Sequence, residues 1–168
     1  DGRLGEAQIH CLTGSGPNPD RQTAPHAHSV TIDRTGAIAV AADLGTDRLM
    51  LYRIDGKAGR LGPLVPPYLE ATPGSGPRHV SFHPDGQTMY LKTEMSGTVI
   101  AYRIMEPGRF ERLQEISALP ADFNGEPAGA DIHVHPSGHF LYCSNRNHDS
   151  MTIFAIDRLG KLTVLGYE

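Results

Sequence analysis

Two cysteines in 168 residues, Cys11 and Cys143, are too few for a disulfide scaffold. They read as reduced packing residues of a cytoplasmic protein. No apolar run approaches the roughly 18 residues that a membrane helix needs, so no membrane partner is expected. Basic residues are in slight deficit: 15 Lys and Arg against 19 Asp and Glu give a net charge of −4 with the nine His neutral. That balance argues against a general nucleic-acid binder. A long apolar pattern of period 3.6 with helix caps is also missing, so helix content should be low. What remains is 39% hydrophobic and 20% charged, enough to bury a core and unlike a disordered tail, a collagen or a coiled coil. The chain opens on Asp1-Gly2-Arg3-Leu4-Gly5 rather than on Met. It therefore reads as an internal stretch, with the true N-terminus and any targeting signal expected elsewhere.

The chain repeats. His28-Ser29-Val30-Thr31-Ile32-Asp33-Arg34-Thr35-Gly36 aligns with Arg78-His79-Val80-Ser81-Phe82-His83-Pro84-Asp85-Gly86 and with Ala130-Asp131-Ile132-His133-Val134-His135-Pro136-Ser137-Gly138. The turn glycines stand 50 and 52 residues apart. Further on, Leu51-Tyr52-Arg53-Ile54 matches Ala101-Tyr102-Arg103-Ile104 and Ile153-Phe154-Ala155-Ile156. A period near 50 marks a repeat architecture. Within the second copy Val80 and Phe82 alternate with Ser81 and His83, the period of a strand. His83-Pro84-Asp85-Gly86 is a turn, because Pro presets φ and Gly supplies positive φ. A second strand follows at Thr88–Lys92, a third at about Thr98–Ile104 and, after a Gly/Pro break, a fourth near Arg112–Ile116. Four antiparallel strands per copy describe a propeller blade. The expected fold is all-β: a β-propeller with about three four-stranded blades in this chain, at about 26–76, 77–127 and 128–168. An outer strand at 6–11 should precede them, and the last strand should fall at Lys161–Leu165. Three blades cannot close a ring, so a fragment of a larger ring is expected, or self-association that covers the open blade faces.

Blade geometry also locates the chemistry. The first and second strands of each copy form a hairpin, so the head of the first and the exit of the second share one end. With the first strand innermost, equivalent positions converge on one mouth of a central channel. The heads carry His28, Arg78 and Ala130, followed by Ser29, His79 and Asp131. The exits carry Asp43-Leu44, Thr93-Glu94 and Asn145-Arg146. Arginines, a carboxylate and a histidine aimed into one funnel suit an anionic ligand beside acid–base groups. The alternative is that these groups pair only with one another and with loop carbonyls across blades.

Pro25-His26-Ala27-His28-Ser29, Ala42-Asp43-Leu44-Gly45-Thr46-Asp47, Gly74-Ser75-Gly76-Pro77-Arg78-His79 and Ser144-Asn145-Arg146-Asn147-His148-Asp149-Ser150 together resemble the lactonase family of seven-bladed propellers, the family of bacterial 6-phosphogluconolactonases and fungal carboxymuconate cyclases. The resemblance covers nearly the whole chain and implies a full-length ring of about seven blades. By motif it implies a catalytic set of His28, Arg78, Glu94 and Arg146. His26, His79, Asp131 and Asn145 are expected around the substrate. The family usually has Asn before the Glu, where this chain has Thr93. The implied reaction is hydrolysis of a phosphorylated or carboxylated sugar lactone, 6-phosphogluconolactone first. Arg78 and Arg146 would hold the anionic group and polarise the carbonyl, and Glu94 or His28 would take a proton from water. The implied alternatives are a carboxymuconate lactonizing cyclase and a non-catalytic propeller presenting loops to a partner.

Other features carry blander readings. No Gly-x-Ser-x-Gly elbow is present. His26-x-His28 and His133-x-His135 could each set two rings on one face of a strand, yet no zinc motif completes them. His83 and His135 occupy equivalent turn positions, and His133 is expected between blades. Some lactonase propellers hold calcium, for which Asp131 and Asn145 would be the side chains; the resemblance here is to the metal-free branch, and neither metal nor cofactor is expected. Gly14-Ser15-Gly16-Pro17 and Gly74-Ser75-Gly76-Pro77 lack the Lys and helix of a phosphate loop and read as blade crossings. Tyr52, Tyr102 and Phe154 read as core aromatics. Asp47 and His148-Asp149 should tighten the loop between second and third strands.

Overall fold

The computed structural model describes residues 3, 5–106 and 108–168. Asp1, Gly2 and Leu4 of the opening stretch, and Pro107 of the Gly/Pro break, lie outside them. Among the described residues, strands gather into three sheets of four, each in sequence order and antiparallel throughout. The first sheet is β1 (Ala27–Ile32), β2 (Ile38–Asp43), β3 (Arg48–Asp55) and β4 (Arg60–Glu70). The second is β5 (Pro77–Phe82), β6 (Thr88–Thr93), β7 (Thr98–Glu106) and β8 (Arg109–Ser117). The third is β9 (Gly129–Val134), β10 (Phe140–Asn145), β11 (Ser150–Ile156) and β12 (Leu162–Tyr167). The helical element among the described residues is a short 3-10 turn at Arg146–His148.

The turn between first and second strands has one geometry in all three sheets. The N–H groups of Gly36, Gly86 and Gly138 donate to the carbonyls of Asp33, His83 and His135 at 3.1, 3.0 and 2.8 Å. Each glycine sits near φ +70°, in the left-handed region that a Cβ disfavours. His83 and His135 are turn residues, their Nδ1 atoms accepting from the backbone N–H of Asp85 and Ser137.

The sheets stack face to face like blades. The β2 and β6 strands are buried at every position, and β6 lies between the first and third sheets. Along β6 the alternation divides the side chains: Met89 and Leu91 enter the core shared with the first sheet, and Tyr90 enters the core shared with the third. Fully burying a Leu or Met of this kind contributes about 1.5–3 kcal/mol, and two such cores hold the blades together. Tyr52, Tyr102 and Phe154 are all buried.

The first strands line up beside one another at the hub, β1 against β5 and β5 against β9. Small hydroxyls stitch them: Ser29 Oγ donates to the Arg78 carbonyl (2.6 Å), Thr31 Oγ1 to the Val80 carbonyl (3.2 Å), and Ser81 Oγ accepts from the Val134 N–H (3.1 Å). Polar residues therefore alternate along these strands because they join neighbouring blades.

Three expectations need correction. Residues 6–11 form no strand. A fourth strand pairs with a third, and no such strand precedes this segment among the described residues; it is tied to β4 by Gln8, whose carboxamide bonds both backbone groups of Leu61 at 2.8 Å. Cys11 is exposed rather than packed, whereas Cys143 is buried between the second and third sheets. His133 is exposed on the hub strand rather than between blades, since β9 has no fourth sheet beside it here.

Candidate active site

Each second strand ends with the same backbone tie. The N–H groups of Leu44, Glu94 and Arg146 donate to the carbonyls of His26, Gly76 and Ala128 at 3.0, 2.8 and 2.9 Å. The Glu94 carbonyl also accepts from the Gly129 N–H at 2.9 Å. Glu94 is thus fixed between the crossings that lead into β5 and β9.

The heads of the first strands are bulged. Ala27 and Ser29 pair with consecutive residues Asp43 and Ala42, and Pro77 and His79 with Thr93 and Lys92. His28 and Arg78 are the extra residues, and β9 carries a register shift at the same level. A bulge re-aims the side chain it carries. It lets Arg78 and His79, neighbours in sequence, share one side: Arg78 Nη1 lies 3.4 Å from His79 Nε2.

Three arginines converge on one carboxylate. Arg78 Nε donates to Glu94 Oε2 at 2.9 Å, Arg146 Nη2 lies 3.1 Å from the same oxygen, and Arg21 Nη2 donates to Oε1 at 2.7 Å. The Glu94 side chain is 9% exposed and that of Arg78 16%, whereas Arg21 and Arg146 are about half exposed. Burial alone would raise the Glu94 pKa, but hydrogen bonds from Arg21 and Arg78 and the charge of Arg146 outweigh it and hold it below its ordinary value. Glu94 is ionised and both of its oxygens are engaged.

A second chain of contacts starts at Arg78. His79 Nδ1 meets Asp131 Oδ1 at 2.6 Å, and Asp131 Oδ2 meets His133 Nε2 at 2.9 Å. Burial opposes ionisation of Asp131, yet bonds from His79, His133 and the Ile132 N–H hold its pKa down at about 2. The His28 ring meets the His79 ring edge-on at 5.1 Å between centroids. Burial first, then the Arg78 charge and that of a protonated His79, lower the His28 pKa below 6.5, leaving a neutral imidazole at neutral pH.

Of the eight side chains expected at the site, Arg78, Glu94 and Arg146 meet directly, His79 adjoins them through Arg78, and His28 and Asp131 adjoin His79. His26 is exposed just before β1, its backbone N–H donating to Asp43 Oδ1 and its carbonyl accepting from the Leu44 N–H. Asn145 belongs elsewhere. It is buried, with Nδ2 donating to Ala118 O and Thr152 Oγ1 at 2.9 Å each and Oδ1 accepting from Lys92 Nζ at 3.0 Å. Its equivalents, Asp43 and Thr93, are also buried and serve the corner after the second strand: Asp43 Oδ1 accepts from the Gly45 N–H, and Thr93 Oγ1 from the Thr98 N–H. Substituting Thr for Asn before the Glu therefore bears on the corner rather than on the Glu94 carboxylate. Asp131 and Asn145 share no metal cradle, because the first is taken by two histidines and the second by interior bonds. Among the described residues no cluster of three or more His, Cys, Asp or Glu has the form of a metal site.

Arg21 was not among the expected residues. It lies in the crossing before β1, 73 residues from Glu94. The sequence cue was slight: one arginine in an otherwise Gly/Pro-rich stretch.

The lactonase seven-bladed β-propeller family model matches residues 1–168. The chain belongs to that family. It is 43% identical over 99% of its length to an uncharacterized protein of Lactococcus lactis subsp. cremoris, covering 48% of that protein. It is 38% identical to the 6-phosphogluconolactonase of Bacillus subtilis over 87% of this chain and 41% of that one. Among solved structures it superposes on the periplasmic gluconolactonase of Pseudomonas aeruginosa with a TM-score of 0.87 and 32% identity, over 94% of this chain and 45% of that one. This lactonase-family chain thus spans less than half the length of the relatives it matches.

Proposed function

We propose that the protein hydrolyses an anionic sugar δ-lactone, with 6-phosphogluconolactone as first substrate. The observation that carries this reading is the convergence of three arginines on Glu94 beside a neutral imidazole. Glu94, ionised and saturated by guanidinium donors, acts as the anchor of the arginines rather than as the base. His28 is the base: it takes a proton from the attacking water as the water oxygen bonds to the lactone carbonyl carbon. Negative charge gathers on the carbonyl oxygen, where Arg78 stabilises it. The ring C–O bond then breaks and the proton on His28 passes to the departing ring oxygen, giving the open hydroxy acid. Arg146 holds the substrate's anionic group. Asp131 keeps the Nδ1–H tautomer of His79, whose Nε2 accepts from Arg78 and steadies it.

The names of the Bacillus subtilis and Pseudomonas aeruginosa relatives support this choice of chemistry. The test is acid release from 6-phosphogluconolactone, run beside cyclisation of carboxymuconate. Release of acid with no cyclisation supports the reading; cyclisation alone replaces it with the cyclase, and neither activity leaves the interaction module. We further propose that the outward faces of the first and third sheets, which expose Val30 and Ile32 on one and Phe140 and Met151 on the other, are covered by further blades or by a second copy. A cytoplasmic location is proposed from the two unpaired cysteines; among the described residues no helix is long and apolar enough to cross a membrane.

A further inference from the structure

We infer that the groove between the second and third sheets, at the end of the blades opposite the mouth, binds a small polyhydroxylated monocarboxylate. Its ligand chemistry is independent of the reaction proposed above.

The fold builds this kind of groove twice, beside the turns that join first and second strands. Between the first and second sheets it is a cavity of about 250 Å³ lined by Ile38, Phe82, Ile104, Met105 and Phe110. Between the second and third sheets it opens to about 470 Å³ and its lining changes character. By repeat position Thr88 stands where the first groove has Ile38, Asp157 where it has Met105, and Arg158 where it has Glu106. Arg103 of β7 lines the groove from the second sheet. Contact between blades alone would favour the apolar residues. A volume of this size is that of a small-molecule pocket, about 300–1,000 Å³.

The polar groups of the groove divide into free donors and half-used acceptors. Arg103 is partly buried and Arg158 exposed, and among the described residues no ion pair or side-chain hydrogen bond engages either guanidinium. Asp85 Oδ1 accepts from the Gln87 N–H at 2.7 Å and meets His83 Nδ1 at the same distance. Asp157 Oδ1 accepts from the N–H groups of Leu159 and Lys161 at 2.8 Å each. In both aspartates Oδ2 takes no bond among the described residues. The nearby carbonyls are spent: that of Gly138 accepts from His83 Nε2 at 2.9 Å, and that of Gly160 from the Tyr90 hydroxyl at 3.0 Å. A guanidinium fork binds a carboxylate, and a free aspartate oxygen accepts from a hydroxyl. Two arginines offset two aspartates, so the balance favours one negative charge with many hydroxyls over a polyanion.

Glycine keeps the wall open. The buried Gly138 and Gly160 hold φ +76° and +80°. A Cβ would stand 2.8 Å from His83 Nε2 at the first and 2.6 Å from Thr88 Oγ1 at the second. With both carbonyls bonded and Thr88 buried, this wall is fixed before a ligand arrives, which limits the ordering cost of binding.

The test is amide NMR of the isotope-labelled protein titrated with D-gluconate, sorbitol and hexanoate. These share a six-carbon chain and carry both kinds of group, hydroxyls alone and a carboxylate alone. The Gly138 and Gly160 signals report the groove. They should move and saturate with gluconate, in wild type and equally in Arg146→Ala, whose change lies at the mouth. Arg158→Ala should weaken gluconate at these signals by about 10-fold or more, the worth of a hydrogen bond to a charged group, and Arg103→Ala should do likewise from the other wall. Circular dichroism confirms that each variant is folded. Shifts confined to the mouth, no response at Gly138 and Gly160, wild-type titrations in both arginine variants of the groove, or an equal response to sorbitol or hexanoate would overturn the proposal. Acid release from 6-phosphogluconolactone is followed separately. Its absence in a wild-type protein that binds gluconate at the groove removes the lactonase reading alone; its presence without that binding removes the groove alone.

Discussion

Arg78 Nε donates to Glu94 Oε2 at 2.9 Å while Arg78 Nη1 reaches His79 Nε2 at 3.4 Å. One guanidinium thereby links the carboxylate that gathers the arginines to the histidines of the hub. Lysine cannot make both contacts, because it offers a single point charge in place of a planar fork. Arg78→Lys should lower kcat for lactone hydrolysis by about 100-fold with a smaller change in KM, since the role proposed for it is at the carbonyl oxygen in the transition state. A matched rise in KM with kcat intact would instead assign Arg78 to ground-state binding.

The pH profile should report His28. Its pKa lies below 6.5, so the neutral, base-competent ring persists to the acidic side of that value and is lost as pH falls through the lowered pKa. The acidic limb of kcat/KM is therefore expected below pH 6.5. His28→Ala should abolish that limb and cost about 10²- to 10⁴-fold in rate. An unchanged acidic limb in His28→Ala would move the base elsewhere.

Asp131 has its own pH signature. Its pKa is depressed from 3.8 to about 2, so its contribution to stability is fully present above the ordinary value and disappears as pH falls toward 2. Asp131→Asn should flatten that part of the acid unfolding curve. The same variant frees the His79 tautomer, which nitrogen NMR of the ring would register as loss of a dominant Nδ1–H form.

Asn145 should behave as a structural residue. Asn145→Ala removes three interior bonds, leaving the Ala118 carbonyl with Thr152 Oγ1 and the Lys92 ammonium with only the long bond to the Gly97 carbonyl. A loss of about 2–4 kcal/mol in denaturant unfolding is expected, from two neutral buried bonds and one charge-assisted bond lost, with KM for the lactone unchanged in protein that remains folded. A raised KM at full stability would return Asn145 to the mouth.

Much of this fold is legible in the residues because it is written three times. The turns ending at Gly36, Gly86 and Gly138 and the recurring Tyr52, Tyr102 and Phe154 mark strands and core without reference to one another. The mouth follows from the same repetition: Glu94 and Arg146 are equivalent positions, so rotation about one hub brings them together. What repetition does not encode was not readable. The bulges that carry His28 and Arg78 depend on backbone pairing, which has no residue signature here. Asn145 looks polar and well placed, yet Ala118, Lys92 and Thr152 take up its carboxamide in the interior. Arg21 belongs to the crossing rather than to the repeat, and only the closed loop around Gln22 brings it to Glu94. The segment at 6–11 has strand-like residues, but among the described residues no third strand lies beside it to pair with.

The most direct measurement compares acid release from 6-phosphogluconolactone by the wild-type protein and by Glu94→Gln, with equal folding confirmed by circular dichroism. The amide keeps the shape of the side chain and removes the charge that collects Arg21, Arg78 and Arg146. Hydrolysis falling by about 100-fold or more is the expected result, as for loss of preorganised transition-state stabilisation. Hydrolysis at the wild-type rate, with the three arginines released from their anchor, would contradict the proposed site.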